Sequence, residues 1–291
     1  MLTGFTVRVP ATVANVGPGF DALAFALEWF NEIHVQPASA LEVEVEGEGA
    51  NDIDRGEDNL VVRAMSRVLG AVPRARVSLV NHFPFGRGFG SSAAAIVGGL
   101  VAATHMKSEK PDRRTLDDAI EMEGHADNVS ACLLGGITVS LPGAPTARLD
   151  PPAALRPLAA VAPETLSTHS ARKALPETVS FTDAALTAAR AARLTAALAA
   201  GDGDALMAAT DDVLHQPARF ALAPDSGSFV ARLREAGFAA FLAGAGPSIA
   251  AIVPAELGRE AESFASGCAP PGWDVRSLEF SARGAEVVVS D

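Results

Sequence analysis

Twelve residues, Pro84 to Ala95 (PFGRGFGSSAAA), concentrate the chemistry that can be read directly from this chain. Gly86, Gly88 and Gly90 permit unusual backbone dihedrals and close approach of a ligand to the main chain. Ser91 and Ser92 can cap the helix that the following small residues begin. The N-terminus of such a helix offers uncommitted N–H donors and partial positive charge, which hold a phosphate without any net basic charge. A P-loop needs Lys and Ser/Thr after its last glycine, where this chain has Ser91 and Ser92, so a Walker-type site is disfavoured. A dinucleotide fingerprint also fits poorly: GRGFGSS lacks its glycine spacing, and no acidic residue closes a second strand about twenty residues on. Taken alone, the segment is either a phosphate-binding loop of another kind or a structural glycine turn.

The elements around it are legible from periodicity. Phe5, Val7 and Val9 alternate with polar neighbours, as do Leu41, Val43 and Val45 with glutamates, which predicts half-buried strands. Asn59 to Leu69 has helical spacing, Val77 to Val80 reads as a short strand, and Ser91 to His105 as a helix packed through Ala94, Gly98 and Ala102. Six prolines between Leu141 and Pro163 punctuate the chain, and a boundary is placed near residue 150. Beyond it, the spacing predicts an Ala-rich helix over Thr182 to Ala200, a helix over Phe229 to Glu235, and strands at Ala239 to Leu242 and Ile249 to Val253. No repeat period is present.

Composition bounds the function. With 291 residues, 48% of them hydrophobic, the chain can bury a large core. A formal charge of −12 has the wrong sign for a general nucleic-acid or anionic-membrane surface. Cys132 and Cys268, far apart in sequence, suggest neither a disulfide framework nor a thiolate zinc site, and both are expected to be buried thiols in a reducing compartment. MLTGFTVRVPAT lacks the pattern of an export leader, and Ala93 to Thr104 falls short of the ~20 residues needed to span a bilayer. A soluble, cytoplasmic protein is expected.

The glycine loop resembles the phosphate motif of the GHMP kinases, approximately P-x-x-x-G-L-G-S-S-A-A, with Phe89 in place of leucine. VPATVANVGPGFDALAFAL (Val9 to Leu27) and LAGAGPS (Leu242 to Ser248) support the likeness in the right order, although Ala243 stands where Ser is common. Four stretches set the branch: the first of these segments again and three further ones, EGHADNVSACLLGG (Glu123 to Gly136), STHSARKALP (Ser167 to Pro176) and HQPAR (His215 to Arg219). Together they resemble segments of the homoserine kinases across most of the chain; Ala126 replaces a usual proline.

What the resemblance implies is an α+β, two-domain GHMP fold. Residues 1–150 would form an N-terminal α/β domain binding ATP, and 151–291 a ferredoxin-like C-terminal domain. Pro84, Gly86, Arg87, Gly88, Phe89, Gly90, Ser91 and Ser92 would meet ATP, with Asn59 at the adenine. Ser92 and Glu123 would hold Mg2+, with Glu121 as the alternative to Glu123. Arg172 and Arg219 would take the carboxylate of L-homoserine with Thr168 nearby, Asn15 and Asp21 would surround its amino-acid head, and His125 and Asn128 would lie near the reacting hydroxyl. Asp127 corresponds to an acidic base in other GHMP kinases, while orientation by Asn128 with direct transfer is favoured here. Each residue also has a structural alternative: Asp21 as a helix cap, His125 as a core histidine, Arg172 and Glu121 as solvated helix charges, Asn59 as a helix start. Rival functions are another GHMP kinase acting on mevalonate or a sugar, and a silent sensor of ATP or homoserine. A homodimer is compatible with the family.

Overall fold

The computed structural model describes residues 4–289, so the first three residues of the segment read for a leader lie outside it. Strand β1 (Phe5–Ala14) buries Phe5, Val7 and Val9 as the alternation predicts, and then continues through Pro10. Its ladder with β2 (Leu23–Pro37) shifts register between Pro10 and Thr12, a bulge of the kind that accommodates proline inside a sheet. Periodicity does not predict the start of β2, because its first third, LAFAL, is buried at every position and lacks a period-two pattern. Strand β3 (Glu42–Gly47) keeps Glu42, Glu44 and Glu46 exposed at the sheet edge.

Helix α1 (Leu60–Leu69) begins at Asn59, whose side chain accepts from Val61 N–H, and stops at Gly70 in a left-handed conformation. Strand β4 (Ala75–Asn81) pairs antiparallel with β2 and parallel with β3. Helix α2 (Ser91–Met106) is buried on nearly all sides. Its small residues make this possible: a Cβ on Gly99 would come within 2.4 Å of the Val61 carbonyl oxygen. Helices α3 (Arg113–Glu123) and α4 (Asp127–Leu134) follow, α3 opened by a capping box between Asp112 and Thr115. The short strands β5 (Ile137–Val139) and β6 (Ala147–Leu149) extend the sheet from β2.

The second half opens with β7 (Leu155–Val161), α5 (Thr168–Lys173), α6 (Phe181–Ala200) and α7 (Leu206–Ala209). Then come α8 (Gln216–Leu222), α9 (Pro224–Glu235), β8 (Ala239–Leu242) and β9 (Ile249–Pro254). The chain closes with α10 (Gly258–Cys268), β10 (Asp274–Ser277) and β11 (Glu286–Val289). The second sheet has the order β10-β7-β9-β8, all antiparallel. The first has the order β11-β1-β2-β4-β3, so its outermost strand comes from the C-terminal end.

Period-two alternation on β7 joins the two halves. Leu155, Ala159 and Val161 enter the large core shared with the first sheet, while Leu158 and Ala160 face α9 and α10 in a second core around Phe229 and Leu233. Most of α6 stands proud of both: Leu194, Ala197 and Leu198 are its buried residues. Cys132 is buried as expected, but Cys268 ends α10 and is half-exposed, because α10 buries only the face carrying Gly258, Ala261 and Ala265. No helix among the described residues is long and apolar enough to cross a membrane.

Candidate active site

Two adjoining cavities flank the glycine loop and share Leu60, Phe85 and Ser91. The first, of about 780 Å³, has apolar walls of Ile33, Leu79, Phe83 and Phe85 and amide groups from Asn31, Asn59 and Asn81. That is a slot for a flat heteroaromatic ring with polar edges. Asn59 is buried here and engaged at both ends of its amide, since Oδ1 accepts from Val61 N–H and Nδ2 donates one of its two hydrogens to the Asp54 carbonyl. The second cavity, of about 1000 Å³, runs from the loop to the arginines of the second half.

The loop's backbone has the left-handed angles its glycines allow, with φ of 66°, 97° and 70° at Gly86, Gly88 and Gly90. Gly90 is itself the cap of α2, and its carbonyl accepts from Ala94 N–H. The expected serine caps are therefore absent. Ser91 Oγ accepts from Gly86 N–H (3.1 Å) and closes the loop on itself, whereas Ser92 Oγ donates to Glu123 Oε2 (2.7 Å). The helix's first amides are left without a side-chain cap and face the cleft, the condition for holding an anion.

Pro84, Arg87 and Phe89 stand apart from their loop neighbours. Phe89 is fully buried against Trp29, with ring centroids 5.7 Å apart. Pro84 and Arg87 line a separate crevice behind the loop, where Arg87 Nη1 lies 3.7 Å from Glu48. The glycines need the thin side of the loop to face the cleft, which turns these larger side chains to its rear.

Glu123 ends α3 where α2 begins, and burial pushes its pKa above the usual carboxylate range, partly opposed by the Ser92 hydroxyl. Glu121 is directed elsewhere: Arg67 of α1 holds its carboxylate at 2.5 Å, and it lines neither cavity. At the start of α4, Asp127 is buried, accepts the Asn128 N–H (2.7 Å) and lies 3.3 Å from His125 Nδ1 at an angle too poor for a hydrogen bond. The Asp127 carboxylate beside it still raises the His125 pKa, against burial. Asn128 Oδ1 accepts from the buried Thr12 hydroxyl (2.7 Å), which leaves its amide N–H group for the cleft.

At the other end, Arg172 and Asp21 form a two-pronged pair (2.9 and 2.8 Å), which raises the Arg172 pKa. Thr168 opens α5 on the same wall. Asn15 braces the loop beneath: Nδ2 donates to the Gly244 carbonyl and Oδ1 accepts from Asp21 N–H, with φ of 70° at Asn15 and 54° at Asp21. Arg219 is only 2% exposed, and burial lowers its pKa, aided by Arg172. Its Nη1 donates to the Gly244 carbonyl (3.0 Å) and to His215 Nδ1 (3.2 Å), while its buried Nε has no partner. The unsatisfied edge of the guanidinium is thus a prepared seat for a planar anion such as a carboxylate.

Glu123, Asp127 and Asn128, with Asn15, Asp21, His125, Thr168, Arg172 and Arg219, all line the second cavity together with Gly86, Gly88, Gly90, Ser91 and Ser92. Three contributors went unassigned in the sequence although they sit inside its quoted motifs. Thr12 fixes Asn128, Phe20 lies beneath both arginines (5.6 Å from Arg172, 5.3 Å from Arg219), and His215 stacks on Phe20. Nothing in their residue types signalled these roles; only the tertiary contacts do.

Residues 59–136 match the model of the GHMP kinases N-terminal domain and residues 188–268 that of the GHMP kinases C-terminal domain. The chain is 40% identical to a homoserine kinase of Streptomyces coelicolor over 97% of its own length and 94% of the relative's. It is 43% identical to one from Mycolicibacterium smegmatis, covering 95% of this chain and 93% of that one. The crystal structure of a homoserine kinase from Cytophaga hutchinsonii superposes with a TM-score of 0.87, at 27% identity and with 99% and 98% of the two chains covered.

Proposed function

This chain belongs to the GHMP kinases and, among them, to the homoserine kinases, and from that premise we propose that it transfers the γ-phosphoryl group of ATP to the side-chain hydroxyl of L-homoserine. The products are ADP and O-phospho-L-homoserine, on the way to threonine. The observation that carries the reading is a single cleft with an uncapped helix N-terminus at one end and, at the other, a buried arginine that keeps an unpartnered donor. A short zwitterion with a terminal hydroxyl bridges those two ends.

Phosphoryl transfer asks a protein mainly for alignment and for neutralisation of phosphate charge. The glycine backbone and the first amides of α2 take the phosphates, and the first cavity takes the base. Arg219, at the cleft wall, receives the substrate carboxylate. Asp21 turns from Arg172 to the ammonium as Arg172 turns to the carboxylate. The Asn128 amide, fixed through Thr12, donates to the hydroxyl oxygen and holds it towards the phosphate. Asp127, buried and beside His125, is the group within reach for the leaving proton, and the reading favoured is orientation by Asn128 with proton loss directly to phosphate.

Ser92 and Glu123 fit a magnesium ion: they are hard oxygen donors 2.7 Å apart in the cleft, and the raised pKa of Glu123 marks a carboxylate that burial leaves in need of a cation. Two protein ligands suffice because magnesium keeps waters and phosphate oxygens, and among the described residues no denser cluster of acidic, His or Cys groups exists. When bound, the ion supplies positive charge against the phosphate oxygens. The reading includes a cytoplasmic setting, consistent with two unpaired cysteines, and a homodimer, which sedimentation equilibrium tests. The deciding experiment is a panel of alcohol acceptors with magnesium-ATP, scored for phosphorylated product. Homoserine is expected to be preferred; equal turnover of mevalonate, galactose or shikimate would overturn the assignment, and ATP binding without any turnover would favour a sensor.

A further inference from the structure

We propose that His215, which does not itself line the cleft, is the positioning residue that aims Arg219 at the substrate carboxylate; the proposal rests on the homoserine kinase reading. The imidazole is completely buried and both nitrogens are engaged. Nε2 lies 2.8 Å from the Gly17 carbonyl oxygen, which can only accept, so Nε2 carries the proton. Nδ1 is then the acceptor, and Arg219 Nη1 lies 3.2 Å from it. The ring is clamped on its face by Phe20, with centroids 5.1 Å apart and planes inclined by 29°. Asp212 holds the backbone in place by accepting from the N–H groups of Leu214, His215 and Gln216.

This fixes Arg219 rotationally. A guanidinium has two N–H edges, and anchoring Nη1 at both His215 and the Gly244 carbonyl selects which one faces the substrate. The guanidinium's Nε, away from both anchors, is buried and has no partner in the protein. Without the His215 acceptor only Gly244 would remain as an anchor, and the plane of the guanidinium could turn about that contact.

Protonation gives the arrangement a signature. A proton on Nδ1 would replace the acceptor by a donor and set imidazolium against guanidinium. The charged groups facing the ring are Arg219 on α8, Asp212 at 3.7 Å from Nε2, and Asp21 on the loop that also carries Gly17 and Phe20. Burial, helped by Arg219, outweighs the two carboxylates and holds the His215 pKa below its ordinary 6.5. The neutral, anchoring form therefore persists at neutral pH and is lost only in acid.

Two variants separate positioning from bulk structure. In His215→Asn the amide oxygen can stand where Nδ1 stood and accept from Arg219 without titrating; His215→Leu fills the space without an acceptor. Steady-state kinetics from about pH 5.5 to 9 should show His215→Leu raising the homoserine KM about tenfold, while the ATP KM stays within about twofold. The wild type should show a homoserine KM that rises towards the acid end of that range, and His215→Asn should remove that acid limb while matching the wild type at pH 8. In parallel, ¹⁵N NMR of the wild-type imidazoles reads the tautomer without requiring turnover, so failure of the homoserine reading remains distinguishable. A wild-type homoserine KM in His215→Leu, an equal rise in both KM values, an acid limb retained in His215→Asn, or an Nδ1–H tautomer would each overturn the proposal. If His215→Leu does not fold, the acid limb of His215→Asn and the tautomer decide.

Discussion

Arg219, buried, and Glu123, half-buried, are charges with opposite assignments, and single substitutions distinguish them. Removing the guanidinium in Arg219→Ala deletes a charged hydrogen-bond donor worth roughly 1.5–3 kcal/mol, or about ten- to a hundredfold in homoserine affinity, with little change in the ATP KM. Isothermal titration with homoserine and a non-hydrolysable ATP analogue checks this split. Glu123→Ala should lower kcat and raise the magnesium requirement, whereas Glu121→Ala, which loses only its surface pair with Arg67, should leave both unchanged. Titrating magnesium in the two variants tests the assignment; the reverse outcome would move the metal to Glu121. Because burial raises the Glu123 pKa, the apparent magnesium affinity of the wild type should improve as pH rises beyond the ordinary carboxylate value of 4.5.

At the scale of elements, the glycine loop is held between two others with no space to spare. A Cβ on Gly90 would fall 2.0 Å from Thr12 Oγ1 of β1, and one on Gly88 would fall 2.3 Å from the Ala243 carbonyl oxygen before β9. Both residues also have positive φ, so a β-branched side chain is penalised twice. Gly90→Val is expected to weaken ATP binding more than homoserine binding and to disturb Asn128 through Thr12, lowering kcat as well. Unchanged nucleotide affinity in a folded Gly90→Val protein, measured by fluorescence titration, would show that the phosphates bind elsewhere. The motif was readable because glycine spacing and small helix residues are local properties. The serines were misread as caps because a cap and a hydroxyl turned to a neighbouring helix look alike in sequence.

For the molecule as a whole, the two chain ends share a sheet: β11 pairs with Phe5 to Arg8 of β1. Deleting the chain from Glu286 onward should expose that strand edge and lower the urea midpoint, although the deleted segment lies far in sequence from the cleft. Stability should also depend on pH through the buried histidine. His215 has a folded-state pKa below 6.5, so the unfolded chain takes up its proton first; its share of stability is full above pH 6.5 and declines as pH falls below it. His125, raised by Asp127, runs the other way, and its contribution is full below 6.5 and lost as pH rises through its folded value. Urea unfolding of His215→Asn across pH 5 to 8 should therefore show a flatter acid side than the wild type.

The sequence by itself determined the glycine loop, its phosphate chemistry, the alternating strands and the family branch, since these rest on local spacing and on ordered motifs. Tertiary structure alone decided what those motifs do to one another. The Gly244 carbonyl gathers Asn15 from the first motif and Arg219 from the last, 229 and 25 residues away. The start of β2 carries no strand signal because a stretch buried at every position, Leu23 to Leu27, loses the alternation that marks strands in sequence. The resemblance to the phosphate motif carries Pro84, Arg87 and Phe89 along with the glycines, yet a chain that turns at every second residue sends neighbouring side chains to opposite sides. His215, Phe20 and Thr12 carry no reactive signature of their own, and their roles exist only through partners brought near by folding.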